Sequence, residues 1–322
     1  MTIRTLLQPA CGPAPWTRTA RVLWAGALVA LLSLSACGGD DDAIVDRGPT
    51  EIPITAKLNG LYWDSAESRL YLGDDDVNAI KAWDGQQGFS VAATLTPPPA
   101  SGANLGQLTR DAAGTFYVTR FGFGQHGAVV VVPGTGAAYD LNGLDPQRRR
   151  IGLARTPDAK LLVGWFRGGR AGGATGTISE LSVQGGQGSE RELITGLGKP
   201  AGLAVVGDQL FVTDQNTAQL LVFSLAAVRA RPATAADARV VSAFLTSDQL
   251  DLMTAASDGT LYFGGSGGSL YQVNPRGEVR TLATGWGRVR GVALDERHRR
   301  LFVVDAGAQT GDPSRIRIVP ID

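Results

Sequence analysis

From about residue 52 onward the chain alternates short apolar runs with polar, glycine-rich turns, and the runs come in pairs. Each pair opens on a small or polar residue, continues as an apolar segment, turns, and ends a second apolar segment near Asp or Gly. The first pair is Asn59-Gly60-Leu61-Tyr62-Trp63 with Leu70-Tyr71-Leu72-Gly73-Asp74. Next come Gly106-Gln107-Leu108 with Thr115-Phe116-Tyr117-Val118, and Ile151-Gly152-Leu153 with Leu161-Leu162-Val163-Gly164. The clearest is Ala201-Gly202-Leu203-Ala204-Val205 with Leu210-Phe211-Val212-Thr213-Asp214. The last two are Asp251-Leu252-Met253 with Leu261-Tyr262-Phe263-Gly264, and Arg290-Gly291-Val292-Ala293 with Leu301-Phe302-Val303-Val304-Asp305. Their second positions fall at 60, 107, 152, 202, 252 and 291, so the steps are 47, 45, 50, 50 and 39. A period of about 46 residues carrying several short strands is that of a propeller blade. The pattern predicts an all-β chain folded as a six-bladed β-propeller, with a β-sandwich of repeated hairpins as the alternative.

Further strands follow the pairs, such as Leu220-Leu221-Val222-Phe223, Leu270-Tyr271-Gln272-Val273 and Val279-Arg280-Thr281-Leu282. Turns such as Ser257-Asp258-Gly259 and Asn274-Pro275-Arg276-Gly277 separate them. No long segment has helical periodicity; Ser224 to Ala236 has room for one short helical turn at most. The sixth unit ends in Arg315-Ile316-Arg317-Ile318-Val319, a third strand with no fourth after it. The missing outer strand is available in Ile52-Pro53-Ile54-Thr55, so residues near 52–58 are expected to pair with the last blade and close the ring. Closure removes open sheet edges, and an outermost strand tolerates the missing N–H of Pro53.

The first 36 residues are of another kind. They carry Arg4, Arg18 and Arg21 and no acid, then an apolar run from Val22 to Leu34. That run is shorter than the roughly 20 residues of a membrane-spanning helix and reads as a secretory signal. Its ending, Leu34-Ser35-Ala36-Cys37, resembles the lipobox of bacterial lipoproteins. The resemblance implies that residues 1–36 are removed and that Cys37 becomes the lipidated first residue. Residues 37–50 then form a flexible tether ahead of the propeller at 51–322. Gly38 in second place resembles lipoproteins sorted to the outer membrane, which implies a bacterial envelope protein facing the periplasm. Cys11 is lost with the signal, so no disulfide is expected.

Composition narrows the chemistry. Thirty basic and thirty acidic side chains give no net charge, which argues against a nucleic-acid partner held by counterion release. Two Cys and two His leave little for a zinc site. The expected partners are the membrane, through the lipid, and a small molecule or envelope protein; a monomer is expected.

Strands one and two of a blade run antiparallel, so the opening of the first and the end of the second share one face. The openings are Asn59, Gly106, Ile151, Ala201, Asp251 and Arg290; the ends are Asp74, Arg120, Trp165, Asp214, Gly265 and Asp305. Long loops leave this face at Phe121–Gly127 with His126, at Phe166–Gly176 with Arg167 and Arg170, and at Ala306–Ser314. Loops on a rigid scaffold commonly carry binding groups. Charge of both signs around a central mouth points to a small polar ligand, anions included; solvated loop ends are the alternative.

The small-Gly-Leu and Leu-Tyr/Phe-Val-x-Asp motifs resemble those of the NHL and senescence-marker-protein/gluconolactonase group of six-bladed propellers. The gluconolactonase resemblance implies one axial divalent cation (calcium, zinc or manganese) that polarises a lactone carbonyl and activates water. Its ligands would be a Glu from blade one, an Asn from a middle blade and an Asp from a later one. Those positions here read Asn59, Ala201 and Asp251, so Asp251 and Asn59 are the candidate metal ligands. One carboxylate with one amide is a poor cage for a hard dication. Two functions therefore stand: a binding or scaffold module, and a lactone or ester hydrolase with a rearranged metal site. Whether the chain is an enzyme stays open.

Other motifs carry less. Asp74-Asp75-Asp76-Val77-Asn78 begins like a calcium loop but has Ala79 where Gly is needed and Gly85 in place of the closing Glu. Pro133-Gly134-Thr135-Gly136 lacks the Lys-Ser/Thr of a phosphate loop. A serine nucleophile needs a His partner. Only His126 lies on the mouth face, since His298 falls in the turn Asp295-Glu296-Arg297-His298-Arg299 at the opposite end. Trp63, Trp83 and Trp286 read as blade packing, whereas Trp165 near Arg167 also suits a pocket wall.

Overall fold

The structure is a computed structural model, and it describes residues 50–86, 88–98, 104–168, 175–309 and 312–322. The signal, Cys37, the tether up to residue 49 and Arg170 lie outside the described residues.

Six antiparallel sheets follow one another along the chain as the blades of a propeller. The first strands, next to the axis, are Leu58–Asp64, Leu105–Arg110, Arg149–Arg155, Pro200–Val206, Leu250–Ala255 and Val289–Asp295. Each packs on the first strand of the next blade, and the sixth returns to the first. The second strands are Arg69–Asp74, Phe116–Arg120, Leu161–Arg167, Gln209–Asp214, Leu261–Gly265 and Arg300–Asp305.

Both faces of these strands are buried because every sheet lies between two others. In Leu161–Arg167 the alternation of a strand sends Leu161, Val163 and Trp165 toward blade 2 and Leu162 toward blade 4. Six apolar clusters result, one at each junction. This burial explains near-continuous apolar runs in an antiparallel fold, where a half-solvated sheet would alternate polar and apolar residues. Glycine sets how closely the blades approach at the axis. A Cβ on Gly202 would stand 2.6 Å from the Asp251 carbonyl oxygen and 2.7 Å from the Thr213 hydroxyl. Gly60, Gly152 and Gly291 meet the neighbouring blade's carbonyl in the same way.

The ring closes as the end count predicts. Glu51–Pro53 pairs antiparallel with Arg315–Pro320, with Ile52 opposite Ile316. The ladder is shorter than the 52–58 stretch. Beyond Pro53 the chain turns inward and buries Ile54 and Ala56 beside Phe302 and Ile316. The Arg317 guanidinium spans the seam, 2.7 Å from a Glu51 carboxylate oxygen and 3.0 Å from one of Asp305.

The short helix is Leu225–Ala230, capped by the Ser224 hydroxyl, which accepts from Ala227 N at 3.1 Å. Behind it Ala233–Thr234 crosses to blade 3 and pairs in parallel with Ile194 and Thr195, adding a fifth strand there. Among the described residues no helix is long and apolar enough to cross a membrane.

Candidate functional site

In every blade the register between strands one and two slips at the opening of strand one: between Leu58 and Leu61, Leu105 and Leu108, Arg150 and Leu153, Pro200 and Gly202, Leu250 and Met253, and Val289 and Val292. Such bulges re-aim a side chain. The residues that fall in them are the six openings named from the sequence. Five of the six, Asn59, Gly106, Ile151, Asp251 and Arg290, line one axial cavity of about 210 Å³.

The cavity has two unlike halves. Leu105, Phe121, Phe123, Ile151 and Leu252 make an apolar wall, and Asn59, Asn104, Lys199, Gln215, Asp251 and Arg290 make a polar one. Asp251 is buried; one carboxylate oxygen accepts from Leu252 N at 3.1 Å and the other from Arg290 Nη1 at 3.2 Å. Lys199 stands beside them on the loop before strand one of blade 4. The Asp214 carboxylate holds that loop by accepting from Gly198 N at 2.7 Å and Lys199 N at 2.8 Å. The Lys199 ammonium donates to Gln215 Oε1, and Gln215 Nε2 is fixed by the carbonyls of Gln249 and Leu250, each at 3.1 Å. Burial lowers the Lys199 pKa; the Asp251 charge opposes this, and Arg290 and Arg149 push the same way as burial. Among the described residues no carboxylate lies within 4.0 Å of this ammonium, so the cation has no ion-pair partner.

A second cavity of about 190 Å³ adjoins the first across Asn59, Asn104 and Arg290, and adds Asp75, Arg288 and Ser314. Asp75 accepts from Leu105 N at 2.6 Å. Burial pushes its carboxyl up to about 7 against that hydrogen bond, helped by the charges of Asp74 and Asp76.

The remaining residues singled out in the sequence stand elsewhere. Asp74 is buried and accepts from Asp76 N at 2.9 Å, with Lys81 at 2.5 Å. Asp305 accepts from Gly287 N at 3.0 Å and pairs with Arg317. Arg120 is fully buried and holds Asp140 at 2.9 and 3.1 Å. Trp165 is buried between blades 2 and 3; its indole N–H donates to Ser179 Oγ at 2.9 Å, and Arg148 stacks 3.8 Å from its ring centre. Arg167 is exposed and pairs with Asp145. His126 is half-buried, and its backbone N–H donates to Gly122 O at 2.9 Å.

At the mouth stand the residues one step further along, Asp75, Phe121 and Gln215. Phe166, in the equivalent place of blade 3, packs 5.7 Å from Phe121. One step along a strand turns a side chain to the other face. Lys199 and Gln215 did not stand out in the sequence; Asp75 did so only within the calcium-loop-like Asp74-Asp75-Asp76, and Phe123 only as part of the loop Phe121–Gly127. The signal that was available is Gly198-Lys199-Pro200, a cation two places before a strand opening.

A cavity of about 460 Å³ lies at the outer rim around the short helix. Its carboxylates are occupied locally: Asp208 accepts from Ser224 and Ala226, and Asp237 from Thr234. Its position away from the axis sets it apart from the mouth.

An axial dication does not fit these residues. Of the three blade positions concerned, Ala201 offers no side-chain donor. The Asn59 amide is turned to donate to Leu105 O at 2.9 Å. The single carboxylate, Asp251, is held by Arg290, with Lys199 adding a second positive charge to the same wall. Among the described residues no three His, Cys, Asp or Glu side chains converge.

No family model matches the chain, and no curated protein matches it. Solved structures do. A luciferin-regenerating enzyme superposes with a TM-score of 0.64 at 16% identity, over 85% of this chain and 95% of that one. The calcium-binding protein regucalcin from Agrobacterium tumefaciens gives 0.61 at 14%, over 84% and 94%. A gluconolactonase from Xanthomonas campestris gives 0.60 at 17%, over 83% and 87%. At such identities the likeness is one of fold: this chain is a six-bladed propeller of the architecture those proteins share.

Proposed function

We propose that this propeller is a binding module that takes a small organic anion at its axial mouth. The observation that carries the reading is Lys199, a partly desolvated ammonium held in place from both sides and lacking a carboxylate partner among the described residues. A cation largely kept out of water with no carboxylate in contact is disfavoured unless an anion completes it, and Arg290, paired with Asp251, adds positive charge to the same wall. A volume of about 210 Å³ lies below the ~300–1,000 Å³ of sites for drug-sized molecules, so the ligand is small.

Calorimetric titration of the purified protein with small carboxylates tests this. Saturable binding is expected, weakened about tenfold or more in Lys199→Met, since a charge-assisted hydrogen bond contributes about 1.5–3 kcal/mol. No heat with any anion overturns the proposal. The fold shared with a gluconolactonase supports a second reading, a lactone or ester hydrolase. Turnover of a simple lactone that requires calcium, zinc or manganese and disappears in Asp251→Ala would establish that reading instead. The lipobox-like Leu34-Ser35-Ala36-Cys37 supports a lipid anchor on Cys37, with the module at the outer membrane facing the periplasm.

A further inference from the structure

We infer that the ligand of the axial mouth is an aromatic carboxylate, recognised by Phe123. The inference rests on the anion site proposed above and specifies what lies behind the anionic group. Two phenyl rings, Phe121 and Phe123, line the same cavity as Lys199 and Arg290. Phe121 and Phe123 meet edge to face at 5.0 Å and 80°, and Phe166 continues the cluster at 5.7 Å from Phe121.

Phe123 is held in an unusual way. It has φ +51°, between Gly122 at +62° and Gly124 at +82°, so three successive residues are left-handed. A side chain rarely adopts that conformation without a compensating reason, and such strain gathers at ligand sites. Phe123 is 50% exposed while lining the cavity.

The turn that presents it is fixed by close packing. A Cβ on Gly122 would collide with Gly127 N, and one on Gly127 with the Arg148 carbonyl oxygen. The fully buried Arg150 guanidinium donates to Gly127 O at 2.9 Å and grips Glu190 with two bonds of 2.9 Å. A half-exposed phenyl ring is thus displayed on a rigid frame in a cavity that two cations also line. A flat aromatic ring, offset or edge-on to Phe121 and Phe123, covers that surface and directs its carboxylate to Lys199.

Titration of the purified protein with benzoate and with cyclohexanecarboxylate, acids of equal charge and similar size, tests the inference. Benzoate is expected to bind about threefold to tenfold more tightly, the range that aromatic pairing adds to area burial. In Phe123→Leu the preference for benzoate should shrink, since Phe121 alone remains, with an unchanged melting temperature, because Phe123 is outside the core. Equal affinity for the two acids in the wild type, or a benzoate preference undiminished in Phe123→Leu, overturns the inference and leaves the anion site standing. Failure of both acids to bind the wild type overturns the anion site and this inference with it.

Discussion

Asp75 offers a direct test of the electrostatics at the mouth. Its carboxyl is half-buried beside Asn59 and pushed from 3.8 up to about 7. An acid whose pKa is higher in the fold than in the unfolded chain keeps its proton longer in the fold. Between about pH 4 and pH 7 the native state therefore binds more protons than the unfolded state, and its stability falls as the pH rises. Below that window both states are protonated, and above it both are ionised with the full cost in place. The span from 3.8 to about 7 corresponds to about 4 kcal/mol at about 1.4 kcal/mol per pH unit. Partial exposure screens the charge, so a realistic figure is about 1–2 kcal/mol. Asp75→Asn keeps an acceptor for Leu105 N and cannot ionise. Urea unfolding of both proteins from pH 4.5 to 8.5 isolates the effect, because every other titration is common to the two. The variant should gain about 1–2 kcal/mol on the wild type between pH 4.5 and 8.5. A difference independent of pH refutes the reasoning. The same ionisation places a negative charge beside Arg290, so anion binding by the wild type should weaken as the pH passes 7, and less so in the variant.

Two further outcomes are expected. Arg150→Met leaves Glu190 buried and takes one donor from each of three carbonyls; the loss should be about 3 kcal/mol by denaturant unfolding, the low end for a broken buried pair. Arg148, at 3.0 Å from Glu190, limits that loss, and faster amide exchange across Phe121–Gly127 should accompany it. A loss below about 1 kcal/mol would show that the pair does not hold the turn. Cys37→Ser should move the protein from the membrane fraction to the soluble one, and mass spectrometry of the unaltered protein should find acyl chains on Cys37. An unlipidated chain with residues 1–36 still attached would refute the anchor.

The recurring apolar pairs, their sixfold count, the closing strand around Ile52 and the axial glycines were all legible in the chain. Each is a local property: alternation with period two, turn residues, or a spacing that repeats. The openings Asn59, Asp251 and Arg290 were legible for the same reason, since each begins a strand. The far side of the mouth was not, because the choice between Asp214 and Gln215, or Asp74 and Asp75, is a matter of one step. That step is decided by where strands one and two pair across the bulge. Phe123 became a feature only through its left-handed turn and the packing of Gly127 against Arg148. Lys199 became one only when Gln215 and the carbonyls of Gln249 and Leu250, far along the chain, came round the axis to hold it. Periodicity thus determined how many sheets there are and how the ring closes. Tertiary packing alone decided which charges lose their water, because desolvation depends on neighbours that the order of residues does not reveal.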